Sequence, residues 1–394
     1  MKLLEINNCN YGSTGNIMLQ IADILREQGS NAVVAYSLGK TTGETKNEII
    51  IGNDFSKKVH IKLAYWTGFN GCFSIIDTWR FIHKVKRYKP DVLHLHNLHN
   101  CYINLPMLFS YIKRNHLKVI WTLHDCWSFT GQCPHFTMVK CNKWINGCHN
   151  CPQIYIYPAA KIDQTKLMWK LKKKWFTNVS DMTIVTPSQW LADLVKKSYL
   201  KDYPIKVIHN GIDLNVFKPT DSDFRQKYNL KDKFILLGVA FVWEKRKGVD
   251  VFIELAKRLD ERFKIVLVGT NEDFDKQLPA NIISVHKTDN QQELAELYSA
   301  ADLFINPTRE EVLGLVNIEA LACGTPVLTF RTGGSPEVPD NRTGYVVDVD
   351  DIDELEKQII RICTEKVFHK EDCLTRARNF DKELKFKEYL ELYK

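Results

Sequence analysis

Two acidic residues within the stretch 310–328, EEVLGLVNIEALACGTPVL, have the type and spacing to hold an elongated polar ligand. Glu311 precedes Gly314 and Glu319 follows it in a run of good helix formers, so the pattern predicts a loop, a helix and a turn at Gly324. A helix that begins behind a glycine presents unpaired backbone N–H groups and the positive end of its dipole, which suits a phosphate. The two carboxylates would then hold separate parts of one phosphate-bearing ligand.

Polar residues at the ends of predicted strands in the first half of the chain form a second candidate site. A glycine-bearing loop after the first predicted strand could bind phosphate or form only a tight turn. That loop consists of Gly12, Ser13, Thr14 and Gly15. Later predicted strands end at His96 and at His124, which Asp125 follows. Ligands of open α/β sheets bind beyond the carboxyl ends of the strands, so these residues should converge on one crevice. The alternatives are that these imidazoles, with those of His94 and His99, belong only to hydrogen-bonded loop residues, or that the run of three histidines binds a metal.

Five of the 11 cysteines fall in an insertion at residues 126–151, which ends in a Cys-x-x-Cys pair. In a cytoplasmic protein the thiols stay reduced, which favours a structural metal or free thiols over disulfides. We predict a tetrahedral zinc site with no open position for a substrate. Its ligands would be Cys133, Cys141, Cys148 and Cys151, with Cys126, His135 and His149 as alternatives.

The charge of the chain is unevenly distributed. Residues 1–205 contain 26 Lys and Arg against 13 Asp and Glu, whereas residues 206–394 contain 28 against 34. A basic first half predicts an anionic partner. Because no base-reading motif accompanies the charge, we expect anionic lipid or a phosphorylated acceptor rather than nucleic acid.

A lysine-rich segment at residues 161–176 accounts for much of the positive charge and interleaves lysines with aromatic residues. It predicts either a packed helix with a solvated lysine face or an interfacial helix whose aromatic side enters a lipid headgroup layer. The chain has no run of 18 uncharged apolar residues and no apolar signal core at its amino end. We therefore expect a cytoplasmic protein, peripheral on the inner face of the cell membrane.

Short apolar runs alternate with helical periodicity along the whole chain, which predicts α/β architecture with parallel sheets. The length of 394 residues predicts two domains. We place the first at 1–205 and the second at 206–375, with a polar linker at about 205–230. Residues 376–394 would form a final helix that crosses back to the first domain.

Several motifs occur together in a characteristic order along the chain. They are Asn210-Gly211-Ile212-Asp213, Lys247-Gly248, Glu311 and Glu319 with EALACGTPVL, Gly333-Gly334-Ser335-Pro336-Glu337, and the earlier His124. This set resembles the GT-B glycosyltransferases, specifically the retaining family 4 that builds bacterial capsule, exopolysaccharide and O-antigen. The likeness extends to colanic-acid-type transferases, which share a TLHDCW segment followed by clustered cysteines. It implies two doubly wound Rossmann-like domains that face each other across a cleft.

The resemblance also implies roles for individual residues. Glu319 would hold the ribose of a nucleotide-sugar donor and Glu311 the hydroxyls of the transferred sugar. Backbone N–H groups near Gly314, Leu315 and Val316 would bind the diphosphate, and Lys247 would neutralise charge on the leaving group. His124 would face the donor sugar from the first domain. The acceptor would be bordered by Gly12, Ser13, Thr14, Gly15, His96 and Asp125.

One departure from the family pattern affects the phosphate site. Family members commonly place an arginine in a G-R-L element before the K-G pair, but this chain reads GVAFVWEKRKG, with Ala240 and Phe241 in that position. The second phosphate cation would then be Arg246 or Lys245, and we favour Arg246.

The resemblance implies transfer of a sugar from a UDP- or GDP-linked donor to a hydroxyl of a glycan or polyprenyl-linked acceptor. Anomeric configuration would be retained, with no divalent metal in the chemistry. Two other functions stay open, namely a sugar-nucleotide epimerase of GT-B fold and a non-catalytic sugar- or lipid-binding scaffold. An NAD oxidoreductase is disfavoured, since no G-x-G-x-x-G follows the first strand of either half.

Overall fold

The structure is a computed structural model that describes residues 1–39 and 46–394. The chain forms two compact units, the first made of residues 1–208 and 386–394 and the second of residues 209–385. The predicted domain boundary, at residue 205, lies three residues before the observed one. The final helix starts at Lys382, and its residues from Phe386 onward belong to the first unit.

The first unit contains a parallel sheet of seven strands in the order β3-β2-β1-β4-β5-β6-β7. The inner strands are apolar and buried, as expected for a parallel sheet covered by helices on both faces. The strands are β1 (Lys2–Ile6), β2 (Asn31–Tyr36), β3 (Glu48–Ile50), β4 (Val92–Leu95), β5 (Lys118–Thr122), β6 (Met182–Thr186) and β7 (Ile205–Val207). The strand order reverses between β1 and β4.

The helices of this unit are α1 (Gly12–Glu27), α2 (Asp54–Thr67), α3 (Ile75–Tyr88), α4 (Leu105–Arg114), α5 (Thr165–Phe176) and α6 (Gln189–Val195). The cysteine-bearing insertion contains only two 3-10 turns, Trp127–Phe129 and Lys143–Ile145. The rings of Phe129 and Phe136 pack around Trp144 with centroids 5.2 and 5.1 Å away, and these contacts give the insertion a small apolar core.

The second unit repeats the design with six parallel strands in the order β10-β9-β8-β11-β12-β13. The strands are β8 (Phe234–Val239), β9 (Phe263–Val268), β10 (Ile282–Val285), β11 (Leu303–Asn306), β12 (Val327–Phe330) and β13 (Gly344–Val347). The helices are α7 (Phe224–Lys227), α8 (Val249–Arg258), α9 (Glu272–Asp275), α10 (Gln291–Ala300), α11 (Leu315–Ala322), α12 (Ile352–Glu365) and α13 (Lys370–Ala377). Here the order reverses between β8 and β11. The final helix, α14, spans Lys382–Tyr393.

The predicted linker at 205–230 is wrong as a free segment. Residues 205–207 form β7, which pairs with β6, and Phe217 and Phe224 are buried in the core of the second unit. The sequence does not reveal that Phe217 and Phe224 are core residues, because the few apolar residues of this polar run follow no helix or strand period.

The lysine-rich segment forms α5, a helix packed on the first unit. Met168 and Phe176 are buried, and Trp169 packs edge-on against Tyr199. The exposed face carries lysines, which matches the packed-helix alternative rather than an aromatic side free to enter lipid. Lys172 departs from this pattern because its side chain is completely buried.

Candidate active site

In the second unit, the loops that follow β8, β11 and β12 lie at the strand-order reversal, where ligands of doubly wound sheets bind. Lys247 follows β8 and Glu311 follows β11. The Lys247 Nζ donates a hydrogen bond of 2.8 Å to Glu311 Oε2, and both side chains are only partly exposed. The structure therefore joins two predicted catalytic residues that are 64 positions apart in the sequence.

The amino end of α11 lies between the two predicted ligand-binding acids. Gly314 caps it with φ of +87°, a left-handed conformation that favours glycine, and the helix begins at Leu315. The first N–H groups of a helix have no intrahelical acceptor, and Leu315 and Val316 supply two of them here. This helix start is suited to a phosphate group.

Glu319 lies in the second turn of α11. Its Oε2 accepts a hydrogen bond of 2.9 Å from the hydroxyl of Tyr298 on α10. Burial raises the pKa of Glu319 to about 7, and the Tyr298 hydrogen bond only partly offsets this. The carboxyl group therefore titrates near neutral pH, and its charge is available for a ligand above that pH.

Glycines hold these loops against each other. A Cβ on Gly333, whose φ is +55°, would lie 1.5 Å from the Glu311 carbonyl oxygen. A Cβ on Gly248 would lie 2.3 Å from the Pro307 carbonyl oxygen. The G-G-S-P-E and K-G motifs thus pack directly on the loop that carries Glu311.

Arg246 is placed differently from Lys247. Its guanidinium is paired with Glu244 at 2.7 Å, while its carbonyl oxygen accepts a hydrogen bond from Arg309 N–H. Lys245, the other predicted cation, is exposed. The contact with Glu311 is therefore made by Lys247, and Arg246 stays a predicted phosphate cation.

In the first unit, a hydrogen-bonded chain runs from the sheet interior to His124. His96 Nε2 lies 2.9 Å from Glu5 Oε2, and His96 Nδ1 lies 3.0 Å from His124 Nε2. Burial raises the pKa of Glu5 well above its usual value, which favours the protonated carboxyl as a donor to His96. With Glu5 protonated, a neutral His96 would donate from Nδ1 to His124 Nε2, and the proton of neutral His124 would lie on Nδ1.

His124 itself is half-buried at the end of β5. Burial lowers its pKa to about 4 despite the adjacent Asp125 carboxylate. The imidazole is therefore neutral at physiological pH, and its role would be hydrogen bonding rather than charge.

Asp125 accepts hydrogen bonds from Trp127 N–H in its own loop and from His99 in the loop after β4. Burial would raise its pKa, but the nearby His99, whose Nε2 lies 2.9 Å from Asp125 Oδ2, holds the pKa down at about 2. His94 is a core residue that contacts Thr122 and Tyr393 at 2.8 and 2.7 Å. His99 is thus a hydrogen-bonded loop residue, whereas His94 is hydrogen-bonded within β4 rather than in a loop.

The predicted acceptor-side loop forms the first turn of α1. Gly12 and Ser13 are exposed, and Gly12 has φ of +71°. Gly15 is required by close packing, since a Cβ there would lie 2.7 Å from the Asn10 carbonyl carbon. Thr14 accepts a hydrogen bond from Asn7, whose own oxygen accepts from Asn97 N–H beyond β4. The loops after β1 and β4 thus meet at the reversal.

The four predicted zinc ligands of the insertion line one small cavity together with Phe136 and Trp144. Those ligands are Cys133, Cys141, Cys148 and Cys151. Within residues 1–39 and 46–394, only Glu5, His94 and His96 bring three potential ligand atoms within 4.8 Å of one another. No three of the cysteine sulphurs lie that close together.

Two residues at these sites were not found from the sequence. Glu5 is signalled by a single acid inside the apolar strand KLLEI, a pattern that marks a buried polar contact. Tyr298 carries no comparable signal, because a tyrosine in an amphipathic helix is usually a packing residue.

Comparison with known proteins decides the family. The model described as Glycosyltransferase Family 4 matches residues 15–216, just over half of the chain, and the model described as Glycosyl transferases group 1 matches residues 232–365. The chain belongs to glycosyltransferase family 4. The predicted family is therefore confirmed.

Relatives of this family 4 chain match it over part of their length. WcaC of Escherichia coli K12, named as a colanic acid biosynthesis glycosyl transferase, is 26% identical over 271 residues, 67% of this chain and 65% of the relative. A D-inositol 3-phosphate glycosyltransferase of Arthrobacter sp. FB24 is 34% identical over 184 residues, 41% of this chain and 42% of the relative. The chain thus spans less than two thirds of either relative.

Solved structures match the whole family 4 chain at low identity. Sucrose-phosphate synthase of Thermosynechococcus elongatus superposes with a TM-score of 0.71 at 19% identity, covering 100% of this chain and 98% of the other. HepE of Anabaena in complex with UDP-glucose superposes with a TM-score of 0.67 at 16% identity, covering 99% and 98%. At such identity the likeness shows the fold, two Rossmann-like parallel-sheet domains of the GT-B class, as predicted.

Proposed function

We propose that the chain transfers a sugar from a nucleoside diphosphate donor to a hydroxyl of a glycan acceptor in surface polysaccharide synthesis. The observation that carries the proposal is the Lys247–Glu311 pair beside the amino end of α11. A cation, a carboxylate and a helix start in one place fit the diphosphate and sugar of such a donor. The WcaC relative, named for colanic acid biosynthesis, supports the acceptor class.

Each residue has a role in this proposal. The N–H groups of Leu315 and Val316 bind the diphosphate, and Lys247 stabilises the charge that develops on it as the glycosidic bond breaks. Glu311 then accepts hydrogen bonds from hydroxyls of the sugar, and Glu319 accepts those of the ribose.

The proposed reaction retains the anomeric configuration. The acceptor hydroxyl attacks the anomeric carbon from the same face from which the leaving group departs. The bond between the anomeric carbon and the phosphate oxygen breaks, and that oxygen takes the proton of the acceptor hydroxyl. Lys247 and the backbone amides stabilise the negative charge that develops on the leaving diphosphate, so the proposal requires no divalent metal. Transfer that is undiminished when a chelator is present would support this point. The anomeric coupling constant of the product shows whether the configuration is retained.

The test begins with a thermal-shift screen of nucleoside diphosphates and nucleotide sugars, because a ligand that binds the folded state stabilises it according to its affinity. Transfer is then measured with the stabilising donor and polyprenyl-linked glycans. Lys247→Ala and Glu311→Gln should each reduce kcat/KM by roughly 10²-fold or more. Lys257→Ala, an exposed lysine on α8, is the matched control and should leave transfer unchanged. Near wild-type transfer by the first two variants would contradict the assignment.

The epimerase and scaffold alternatives give different results with the same protein. Incubation with donor but no acceptor would isomerise the nucleotide sugar if the chain were an epimerase. A scaffold would bind nucleotide or glycan without turnover under any condition.

We also propose that the first unit docks on an anionic membrane surface, where a lipid-linked acceptor would be held. Within the described residues no helix has the length and apolar character needed to cross a bilayer. The outer face of α2 instead exposes apolar side chains at helical spacing, Phe55, Val59, Leu63 and Trp66, beside Lys58 and Lys62. On α3, Ile76 and Trp79 are 66% and 54% exposed next to Arg80. Apolar groups flanked by cations are suited to a headgroup layer that carries negative charge.

A further inference from the structure

We propose that Cys133, Cys141, Cys148 and Cys151 bind one structural zinc ion in the first unit. All four thiols are half-buried and line the same small cavity, whereas Cys126 is fully buried and does not line it. Four cysteines around one cavity are the ligand set of a closed tetrahedral zinc site. The inference does not depend on the proposed glycosyl transfer.

The backbone around Cys148 and Cys151 has the form of a metal-binding knuckle. Asn150, between the two cysteines, has φ of +43°, and both cysteines line the same cavity. Gly131 N–H donates a hydrogen bond of 3.1 Å to Cys148 Sγ. Hydrogen bonds to the sulphurs are what a thiolate ligand needs to disperse its charge.

The buried Lys172 supplies a second, independent argument. Its ammonium lies 3.5 Å from the centroid of the Trp127 ring and donates to the Trp127 carbonyl oxygen, with no access to solvent. A buried cation is costly unless an anion compensates it. Lys172 interacts electrostatically with Cys148, Asp125 and Cys133, and zinc bound by four thiolates carries two net negative charges. The metal site would therefore add negative charge to that of Asp125 beside this lysine.

Metal binding would draw the four sulphurs closer together. At a Zn–S distance of about 2.3 Å, tetrahedral ligands lie about 3.8 Å apart, whereas no three of these sulphurs lie within 4.8 Å of one another. Because the insertion contains only two short 3-10 turns, rotation of half-buried side chains can close that gap without breaking a helix or a strand.

The metal content of the purified chain is measured by elemental mass spectrometry. We expect about one zinc per chain. The double variant Cys148→Ser with Cys151→Ser should lose the metal. Cys72→Ser, a half-buried cysteine outside the cluster, should keep it.

A second measurement on the unsubstituted chain covers the case in which the double variant does not fold. After exchange of zinc for Co²⁺, the absorption spectrum should show intense visible bands and a sulphur-to-cobalt charge-transfer band, both typical of tetrahedral thiolate coordination. An unsubstituted chain that takes up neither zinc nor cobalt overturns the proposal. So does a disulfide between Cys133 and Cys151 in chain purified without reductant, or a cobalt spectrum without thiolate bands.

Discussion

At the scale of single residues, the structure indicates that the role expected for Glu319 depends on pH. A carboxylate can accept hydrogen bonds from both ribose hydroxyls, whereas a protonated carboxyl loses part of that capacity. Because the Glu319 pKa is about 7, the ligand-ready form is a minor species at pH 6 and the major one at pH 8.

We therefore predict that nucleoside diphosphate affinity increases with pH through 7. Below pH 7 the dissociation constant should rise about tenfold for each unit of pH, since one proton must leave before binding. Titration calorimetry from pH 5.5 to 8 measures this. Glu319→Gln is the control, because protonation of the ligand phosphate affects both proteins equally while only the native protein has the carboxyl. The same pH slope in both would show that Glu319 does not titrate in binding.

Residue types and spacing identified the two acids, and the family resemblance identified Lys247, but neither predicted the residues that these side chains contact in the folded chain. Glu311 and Lys247 are assigned from separate motifs, and their direct contact depends on where β8 and β11 end. Tyr298 reaches Glu319 only because α10 packs beside α11. Such pairings join residues on different elements, so no local pattern encodes them.

At the scale of elements, glycines determine how closely the site loops approach. The G-G-S-P-E turn follows β12. Any side chain at position 333 would clash with the carbonyl oxygen of Glu311, so this position requires glycine. The loop that carries Glu311 can take its observed path only with glycine at this position.

We predict that Gly333→Ala lowers both the melting temperature and donor affinity, because the Glu311 backbone must shift away from Lys247. Gly29→Ala is a matched control. Gly29 has φ of +78° but open space around its Cβ position, so alanine there should cost only the left-handed strain, roughly 1–2 kcal/mol. Equal loss of stability with unchanged donor affinity in both variants would mean that packing on Glu311 is unimportant. Thermal unfolding and calorimetry on the two variants give the comparison.

The long, strongly apolar strands and the helices α8, α10 and α11 follow from periodicity, but the edges of the sheets do not. Strands β3, β10 and β13 are three or four residues long and are partnered on one side only. Edge strands of this length bury few side chains, so the sequence carries little pattern for them. The outer faces of α2 and α3 were missed for a related reason, since their exposed apolar residues make the helical period ambiguous.

At the scale of the whole molecule, the structure identifies which surface of the basic first half is suited to an anionic membrane. The sequence directs attention to α5, but Met168 and Phe176 of that helix are buried, and Leu167 is the one apolar side chain of α5 that is exposed. Larger exposed apolar groups next to cations lie on α2 and α3, where Phe55 is 77% exposed. Charge attracts a protein to an anionic bilayer over about a Debye length, whereas apolar insertion fixes it there.

We predict that the chain sediments with vesicles of anionic lipid, that binding weakens as salt rises, and that neutral vesicles retain little protein. Phe55→Ser with Ile76→Ser should reduce retention several-fold, because insertion is lost while the charge is unchanged. Leu384→Ser is the matched control, since Leu384 is an exposed aliphatic residue, 52% accessible, in the second unit. If Lys166→Glu with Lys170→Glu on α5 abolished binding while the apolar double variant bound normally, the docking surface would be α5 and the assignment to α2 and α3 would be wrong. Equal retention on neutral and anionic vesicles would contradict the charge-based attraction that the basic first half implies.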